Sequence, residues 1–218
     1  MWEIFLYVNP LCSYCLNVEQ SIIDFTRKNS ISTQFHFITT YNMETINEYL
    51  EMKGCKLSDL DERTKCTKEI YDAALLYKSA TFQGNKKARI FLMRMQDQVN
   101  VQNLPFNEKT IMDAAIYAGL EYDTIMSYKD SESVEQGLKR DQQLIKDMNI
   151  RKAPSIVIFD NANPEEPGLV INDFGDDRDK QSIEDNLNDL LSRTLLEPSE
   201  QPSLKQEAKV LNFNDFRK

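Results

Sequence analysis

The sequence predicts an α/β protein in which a block of helices interrupts a unit built of strands and helices. Strand-like runs occur near the N-terminus and return after residue 150, while the segment between them carries helical patterns and almost no strand pattern. We therefore expect residues 1–41 and 149–196 to form one α/β domain and 42–148 to form an all-helical insertion domain. The polar tail, residues 197–218, is expected to be disordered.

The first elements are a strand, a helix and a second strand. The run "EIFLYVN" (Glu3 to Asn9) is rich in β-branched and aromatic residues, which predicts a buried strand that Pro10 ends. Apolar residues then recur at helical spacing from Ser13 to Lys28. The run "STQFHFITT" alternates apolar and polar residues and predicts the second strand.

The middle of the chain predicts four or five helices in succession. Helical apolar faces occur in "EIYDAALLYKSATF" and in "KKARIFLMRMQDQ". The run "NEKTIMDAAIYAGL" has a start signal at Asn107 and a glycine stop at Gly119. The run "SESVEQGLKRDQQLIKDMNI" predicts a long exposed helix.

The last part of the chain predicts a hairpin and a closing helix. Four consecutive apolar residues, Ile156 to Phe159, are typical of a central strand buried on both faces. The run "NANPEEPG" has the composition of a turn, and "LVIND" predicts the partner strand. Apolar spacing from Asp179 to Leu195 predicts the closing helix.

Composition and charge exclude several classes of protein. The 218 residues are 41% hydrophobic and contain no apolar run long enough to span a membrane. The first residues lack the basic region and cleavage site of a secretory signal, so we expect a cytoplasmic protein. Between Asp160 and Glu200 there are 12 acidic and 3 basic residues, which accounts for the whole net charge of -9. No basic stripe is present to bind nucleic acid, and the acidic segment is either a solvated face or a surface that attracts a basic partner.

Cys12 and Cys15 form a CxxC motif where the first strand passes into the first helix. Thiol–disulfide chemistry uses this arrangement, because unpaired N–H groups and the helix dipole favour a thiolate on Cys12. Cys15 lies one helical turn further on and can resolve a mixed disulfide. The motif alone is weak evidence, since zinc sites use the same spacing.

A zinc site would need two more ligands, and the sequence offers poor ones. Cys55 and Cys66 do not have the spacing of a zinc knuckle, and His36 is the single histidine. We interpret His36 as a packed histidine and the other two cysteines as bystander thiols. We expect no metal and no cofactor.

A second signal lies in "RKAPSIVIF", where Pro154 directly precedes the predicted central strand. The thioredoxin fold places a cis-proline there, opposite its CxxC motif. Such a bond would expose the backbone of Ala153 for pairing with an extended client segment. The alternative is an ordinary trans proline at the start of a strand. The order strand–CxxC–helix–strand followed by proline–strand–hairpin–helix favours a thioredoxin-like fold.

The chain resembles the DsbA family of thioredoxin-fold proteins, in which a helical domain is inserted between the two halves of the fold. The resemblance runs from about Glu3 to Leu195 and is carried by "NPLCSYC", "GNKKARIFLMRMQ" and "NIRKAPSIVIF". Within that family the chain is similar to a cytosolic branch whose opening has the form "xPLCxxC", as in "NPLCSYC". That branch consists of adaptors that bind the redox-responsive transcription factor Spx and promote its degradation by the ClpXP protease. The resemblance therefore implies Spx as a partner, and ClpX as a direct or indirect one.

Two positions depart from the enzymes of the family. Tyr14 stands between the cysteines where the periplasmic oxidase has histidine and thioredoxin has proline, and Ala153 replaces the usual Thr, Val or Ile. Neither change forbids thiol chemistry, but both argue against a strongly oxidising pair. Three functions stay open at this point: an adaptor whose CxxC senses redox state or is a relic, a cytosolic thiol–disulfide oxidoreductase, and a glutathione-dependent isomerase. The isomerases usually lack the second cysteine, and the adaptor is the function that we favour.

Overall fold

The computed structural model describes residues 1–163 and 168–174, together with Gln181, Glu184, Asp185 and Asn188. The named elements, in chain order, are β1 (Trp2–Val8), α1 (Ser13–Lys28), β2 (Thr33–Thr39), α2 (Met43–Met52), α3 (Leu60–Ala80), α4 (Asn85–Gln96), α5 (Glu108–Tyr117), α6 (Tyr122–Lys129), α7 (Glu132–Asp147), β3 (Ser155–Asp160) and β4 (Leu169–Ile171). A 3₁₀ turn (Thr81–Gln83) precedes α4, and a π-helical turn (Asp97–Val101) follows it.

The chain divides into two compact units. The strand unit comprises Met1–Leu6, Asn17–Phe37 and the described part of Pro154–Lys218. The helical unit comprises Tyr7–Leu16 and Ile38–Ala153. The helical unit thus contains the CxxC segment as well as the residues that the sequence predicts to be inserted.

The strand unit is built on a four-stranded sheet with the order β2-β1-β3-β4. β3 pairs antiparallel with β4, with Ile156 opposite Ile171 and Ile158 opposite Leu169. The predicted hairpin is therefore confirmed. Ile156 to Phe159 are all buried and their strand lies inside the sheet, which confirms the predicted central strand.

The packing on this sheet defines the environment of His36, the single histidine of the sequence. His36 lies on β2, where its Nε2 atom is 2.9 Å from Oε1 of Glu3 on β1. Its ring also stacks on Phe5, with the ring centroids 4.6 Å apart. The prediction of a packed histidine is confirmed, because both contacts come from the neighbouring strand.

The helical unit contains six α-helices between residues 43 and 147, more than the four or five expected. The signals predicted for α5 are confirmed. The side chain of Asn107 accepts the backbone N–H of Thr110 at 3.1 Å, and Gly119 follows the helix with φ of +68°. The expectation that α7 is an exposed helix needs correction, because Val134, Leu138 and Ile145 bury one face of it.

The core of the helical unit is supplied chiefly by α3 and α4. The fully or almost fully buried apolar side chains of these helices include Ile70, Ala73, Ala74, Leu76, Ala88, Phe91, Leu92 and Met95. Each large apolar side chain stabilises the fold by about 1.5–3 kcal/mol on burial. α3 and α7 are also joined by an ion pair, with Nζ of Lys78 2.6 Å from Oδ2 of Asp141.

Some of the sequence predictions fall outside the described residues. Of the predicted closing helix, Asp179 to Leu195, the structure describes Gln181, Glu184, Asp185 and Asn188, which are helical. The remainder of that helix, residues 164–167 of the predicted turn, most of the acidic segment and the tail 197–218 lie outside. Within the described part, no helix is both long and apolar enough to cross a membrane.

Candidate thiol site

The candidate site is the segment that connects β1 to α1. Cys12 directly precedes α1, and its carbonyl accepts the backbone N–H of Leu16 at 3.2 Å, the first bond of the helix. Cys15 lies in the first turn. The side chain of Cys12 is partly exposed, whereas Cys15 is completely buried. Both are thiols in this structure. The structure thus places the two predicted cysteines at a helix start, as the sequence indicates.

The surroundings of Cys12 favour its thiolate. A hydrogen bond from the Cys15 thiol lowers the pKa of Cys12, and the backbone N–H groups of Cys15 and Tyr14 act in the same direction. The N–H of Cys15 lies 3.5 Å from the Cys12 sulfur, measured from the nitrogen. Burial and the Glu48 carboxylate oppose these effects without cancelling them. No positive side chain is needed for this shift, so Tyr14 does not prevent activation of Cys12.

Asn9 is a residue of the site that the sequence reasoning missed. Its Oδ1 atom accepts the N–H of Leu11 at 3.0 Å, and its own backbone N–H points to the Cys15 sulfur at 3.4 Å. An asparagine that accepts an N–H two residues ahead forms an Asx turn. The dipeptide Asn9–Pro10 was the available signal, because Asn-Pro favours the start of a turn.

Ala153 and Pro154 lie directly before β3, and both are buried. The segment that leads to them is tied to the start of α2 by the Asn42 side chain, which donates to the carbonyl of Arg151 at 3.3 Å. The cis form of the Pro154 bond and a client groove at Ala153 stay predictions.

The other two cysteines lie in the helical unit. Cys66 is buried in α3, and burial raises the pKa of its thiol. Cys55 is partly exposed after α2, and its thiol lies 3.9 Å from the carbonyl oxygen of Lys53. Among the residues that the structure describes, no group of three or more His, Cys, Asp or Glu side chains is arranged to hold a metal ion.

Comparison with known proteins gives a family and a set of relatives. The family model described as thioredoxin matches residues 5–178. The ClpXP adapter protein SpxH of Staphylococcus haemolyticus is 31% identical over 129 residues, which cover 57% of this chain and 48% of that protein. SpxH of Staphylococcus aureus is 28% identical over 129 residues, covering 57% and 49%. The match thus spans about half the length of these relatives.

Solved structures share the fold at low sequence identity. DsbA2 of Pseudomonas aeruginosa has a TM-score of 0.56 at 16% identity, covering 90% of this chain and 91% of that one. The oxidoreductase DsbA of Xylella fastidiosa has a TM-score of 0.54 at 12% identity, covering 88% and 85%. These similarities establish a thioredoxin-like fold of the DsbA type, in agreement with the predicted fold class.

Proposed function

This chain belongs to the thioredoxin family, and from that premise we propose that it is an adaptor that binds the transcription factor Spx and promotes its degradation by the ClpXP protease. The observation that carries the proposal is the similarity to proteins named ClpXP adapter protein SpxH, at 28–31% identity for the two described above. The two proteins of known structure described with them share the fold at 12–16% identity. Fold alone does not assign an activity, so the nearer sequence relatives have more weight. The cytoplasm is the compartment that this function requires.

Within this function, the Cys12–Cys15 pair would report the redox state of the cell. A partly exposed thiol with a lowered pKa reacts readily with oxidants, and a buried neighbour converts the product into a disulfide. Spx is itself redox-responsive, so an adaptor that changes with oxidation would adjust Spx turnover to the same stress. The thiols then regulate binding and are not needed for turnover in the reduced state.

The main test is proteolysis of Spx by purified ClpXP with and without this protein. We expect the wild-type chain to speed Spx loss, and we expect Cys12→Ser combined with Cys15→Ser to speed it equally under reducing conditions. Serine keeps the size of the side chain and removes the redox chemistry. If the double variant keeps its circular dichroism spectrum but no longer promotes turnover, then the thiols are needed for Spx turnover itself and do not act only as redox sensors. If neither protein changes the rate, the adaptor function is wrong.

The second candidate is a thiol–disulfide oxidoreductase, and the specific observation in its favour is the lowered pKa of Cys12 beside a buried Cys15. In that case Cys12 is the nucleophile, Cys15 resolves the mixed disulfide, and Pro154 with Ala153 shapes the client groove. Reduction of insulin distinguishes the two functions. A rate above background that Cys12→Ser abolishes supports the enzyme, whereas a background rate together with accelerated Spx turnover supports the adaptor.

A further inference from the structure

Asn9 is the residue that shapes the segment between β1 and the CxxC motif. It is almost completely buried, with 3% of its surface exposed. Its Oδ1 atom accepts the N–H of Leu11 at 3.0 Å, and its Nδ2 atom donates to the carbonyl of Thr45 in the first turn of α2 at 3.3 Å. A buried amide with both ends bonded is held in one orientation. Pro10 fixes the backbone between these contacts, because its ring restricts φ.

The backbone carbonyl and the backbone N–H of Asn9 are both hydrogen-bonded as well. Its carbonyl accepts Nε2 of Gln96, a fully buried side chain at the end of α4, at 3.3 Å. Its N–H donates to the Cys15 sulfur at 3.4 Å. Asn9 therefore connects α2 and the end of α4 to the buried sulfur of the CxxC motif. The contacting residues Thr45 and Gln96 are 36 and 87 positions away in sequence.

We propose that Asn9 is a positioning residue that fixes the orientation of the Cys15 sulfur, so that this sulfur stays hydrogen-bonded to Cys12. The proposal rests on the redox role proposed above for the Cys12–Cys15 pair. The reasoning is geometric: the hydrogen bonds of the Asn9 side chain to Leu11 and Thr45 fix the local backbone, and that backbone directs the Asn9 N–H at the Cys15 sulfur. The Cys15 thiol in turn donates to Cys12. Loss of the Asn9 side chain removes the hydrogen bond that holds the turn at Leu11. The contact from the Asn9 backbone N–H to the Cys15 sulfur and the bond from the Cys15 thiol to Cys12 then weaken together.

The measurable consequence is a change in the acidity of Cys12. The bond from Cys15 is the largest influence that lowers the pKa of Cys12, so weakening it raises that pKa. The charged side chain that opposes it is Glu48, on the same helix as Thr45. The N–H groups of Cys15 and Tyr14, in the first turn of α1, stay in place and retain part of the effect.

The redox equilibrium changes in a defined direction. Glutathione disulfide oxidises the pair in two steps: the Cys12 thiolate binds one glutathione sulfur and releases the other, and Cys15 then displaces the bound glutathione. Overall, two thiols and one glutathione disulfide give one protein disulfide and two glutathione thiols. A stabilised Cys12 thiolate favours the reduced protein. Loss of the Asn9 side chain makes that thiolate less stable, so it shifts the equilibrium towards the protein disulfide.

The experiment compares Asn9→Ala, Asn9→Ser and Gln96→Met in the full chain. The readouts are thiolate absorbance against pH, with Cys12→Ser to assign the signal, and the equilibrium constant with the glutathione couple. For Asn9→Ala we expect the pKa of Cys12 to rise by about one unit and the equilibrium to shift about tenfold, the size of one hydrogen bond to a charged group. In Asn9→Ser the serine hydroxyl can still accept the Leu11 N–H, so the shifts in pKa and in the equilibrium should be smaller than in Asn9→Ala. Gln96→Met should give a smaller change in the same direction.

Asn29→Ala is the matched control. It removes an exposed asparagine that donates to the carbonyl of Phe25, at the opposite end of α1, and it should leave both readouts unchanged. The proposal is overturned if folded Asn9→Ala titrates and equilibrates like the wild type. If Asn9→Ala does not fold, unchanged values in Asn9→Ser and Gln96→Met overturn it. Spx turnover is measured separately, so these results stand whether or not the adaptor function is correct.

Discussion

The two sulfur atoms of the Cys12–Cys15 pair differ in exposure, and the difference supports the roles proposed for them. Cys12 is partly exposed and Cys15 is completely buried. In the proposed redox role, an outside thiol or disulfide therefore reaches Cys12 first, and Cys15 reacts with a sulfur already attached to Cys12. Cys66 is also buried, and its raised pKa keeps it protonated and unreactive.

We predict that mild oxidation joins Cys12 to Cys15 within one chain. Mass spectrometry should show the loss of two hydrogens from the peptide that contains both residues. Its reduction potential should lie nearer to that of thioredoxin, about -270 mV, than to that of the strongly oxidising periplasmic enzyme, about -120 mV. The physical reason is that backbone and thiol hydrogen bonds, without a positive side chain at Tyr14, stabilise the Cys12 thiolate only in part.

Cys55 and Cys66 provide the internal control for this measurement. They should remain reduced under conditions that fully oxidise Cys12 and Cys15. A disulfide between Cys55 and Cys66, with the CxxC peptide unchanged, would contradict the assignment of the redox pair.

The sequence could reveal the cysteines of the site but not the residue that orients them. Cys12 and Cys15 are recognisable because their spacing is local and a helix pattern follows them. Asn9 depends on Thr45 and Gln96, which reach it only through folding of distant parts of the chain. No local pattern reports such contacts, although the Asn-Pro dipeptide does indicate a turn.

At the scale of elements, the β3–β4 hairpin depends on a glycine. A Cβ atom at Gly168 would lie only 2.7 Å from Cδ1 of the Phe159 ring, well inside contact distance. We predict that Gly168→Ala lowers the free energy of unfolding by about 1–3 kcal/mol, because the ring must move within a packed sheet. Denaturant unfolding measures this. Adding Phe159→Leu should make the Gly168→Ala change cost less than it does alone; an equal cost in both backgrounds would rule out this contact as the cause.

The Lys78–Asp141 pair joins α3 to α7 where both side chains are mostly buried, 18% and 12% exposed. Burial raises the pKa of Asp141, and Lys78 opposes that rise. We predict that Lys78→Met destabilises the fold by about 3 kcal/mol, since it leaves an unpaired buried carboxylate. Lys78→Met combined with Asp141→Leu should recover most of that loss. A double variant as unstable as Lys78→Met alone would show that packing, and not the unpaired charge, sets the cost.

Elements with a strong local signal were predictable, and short elements defined by packing were not. β1, α1, β2 and β3 follow from runs of apolar residues at strand or helix spacing. The short helices α2 (Met43–Met52) and α6 (Tyr122–Lys129) were not individually recognised. α6 buries only Ile125 among its residues and so offers little periodicity, whereas α2 does bury one face, with Ile46, Tyr49 and Leu50. The buried face of α7 was missed because charged and polar residues together make up most of its sequence.

At the scale of the whole molecule, net charge is distributed unevenly along the chain. The net charge of -9 is matched by the segment from Asp160 to Glu200, with 12 acidic and 3 basic residues. By contrast, α4 carries Lys86, Lys87, Arg89 and Arg94 and no acidic residue. The division into an α/β domain and a helical insertion at 42–148 stays a prediction, as does the disordered tail.

The acidic segment gives a prediction about the rate of partner binding. A local negative field speeds encounter with a basic surface and weakens with salt, because the screening length falls from about 10 Å at 0.1 M to about 3 Å at 1 M. Neutralising Asp176, Asp177 and Asp179 together, as Asn, should lower the association rate with Spx, the partner proposed above, more than it raises the dissociation rate. The composition of the segment predicts that it is solvated, and solvated charges contribute little to folding, so we expect the melting temperature to change little. Stopped-flow association at several salt concentrations tests this, with Glu132→Gln on α7 as a control outside the segment. An association rate that changes neither with salt nor with the triple substitution would mean that these carboxylates are solvated and do not attract the partner.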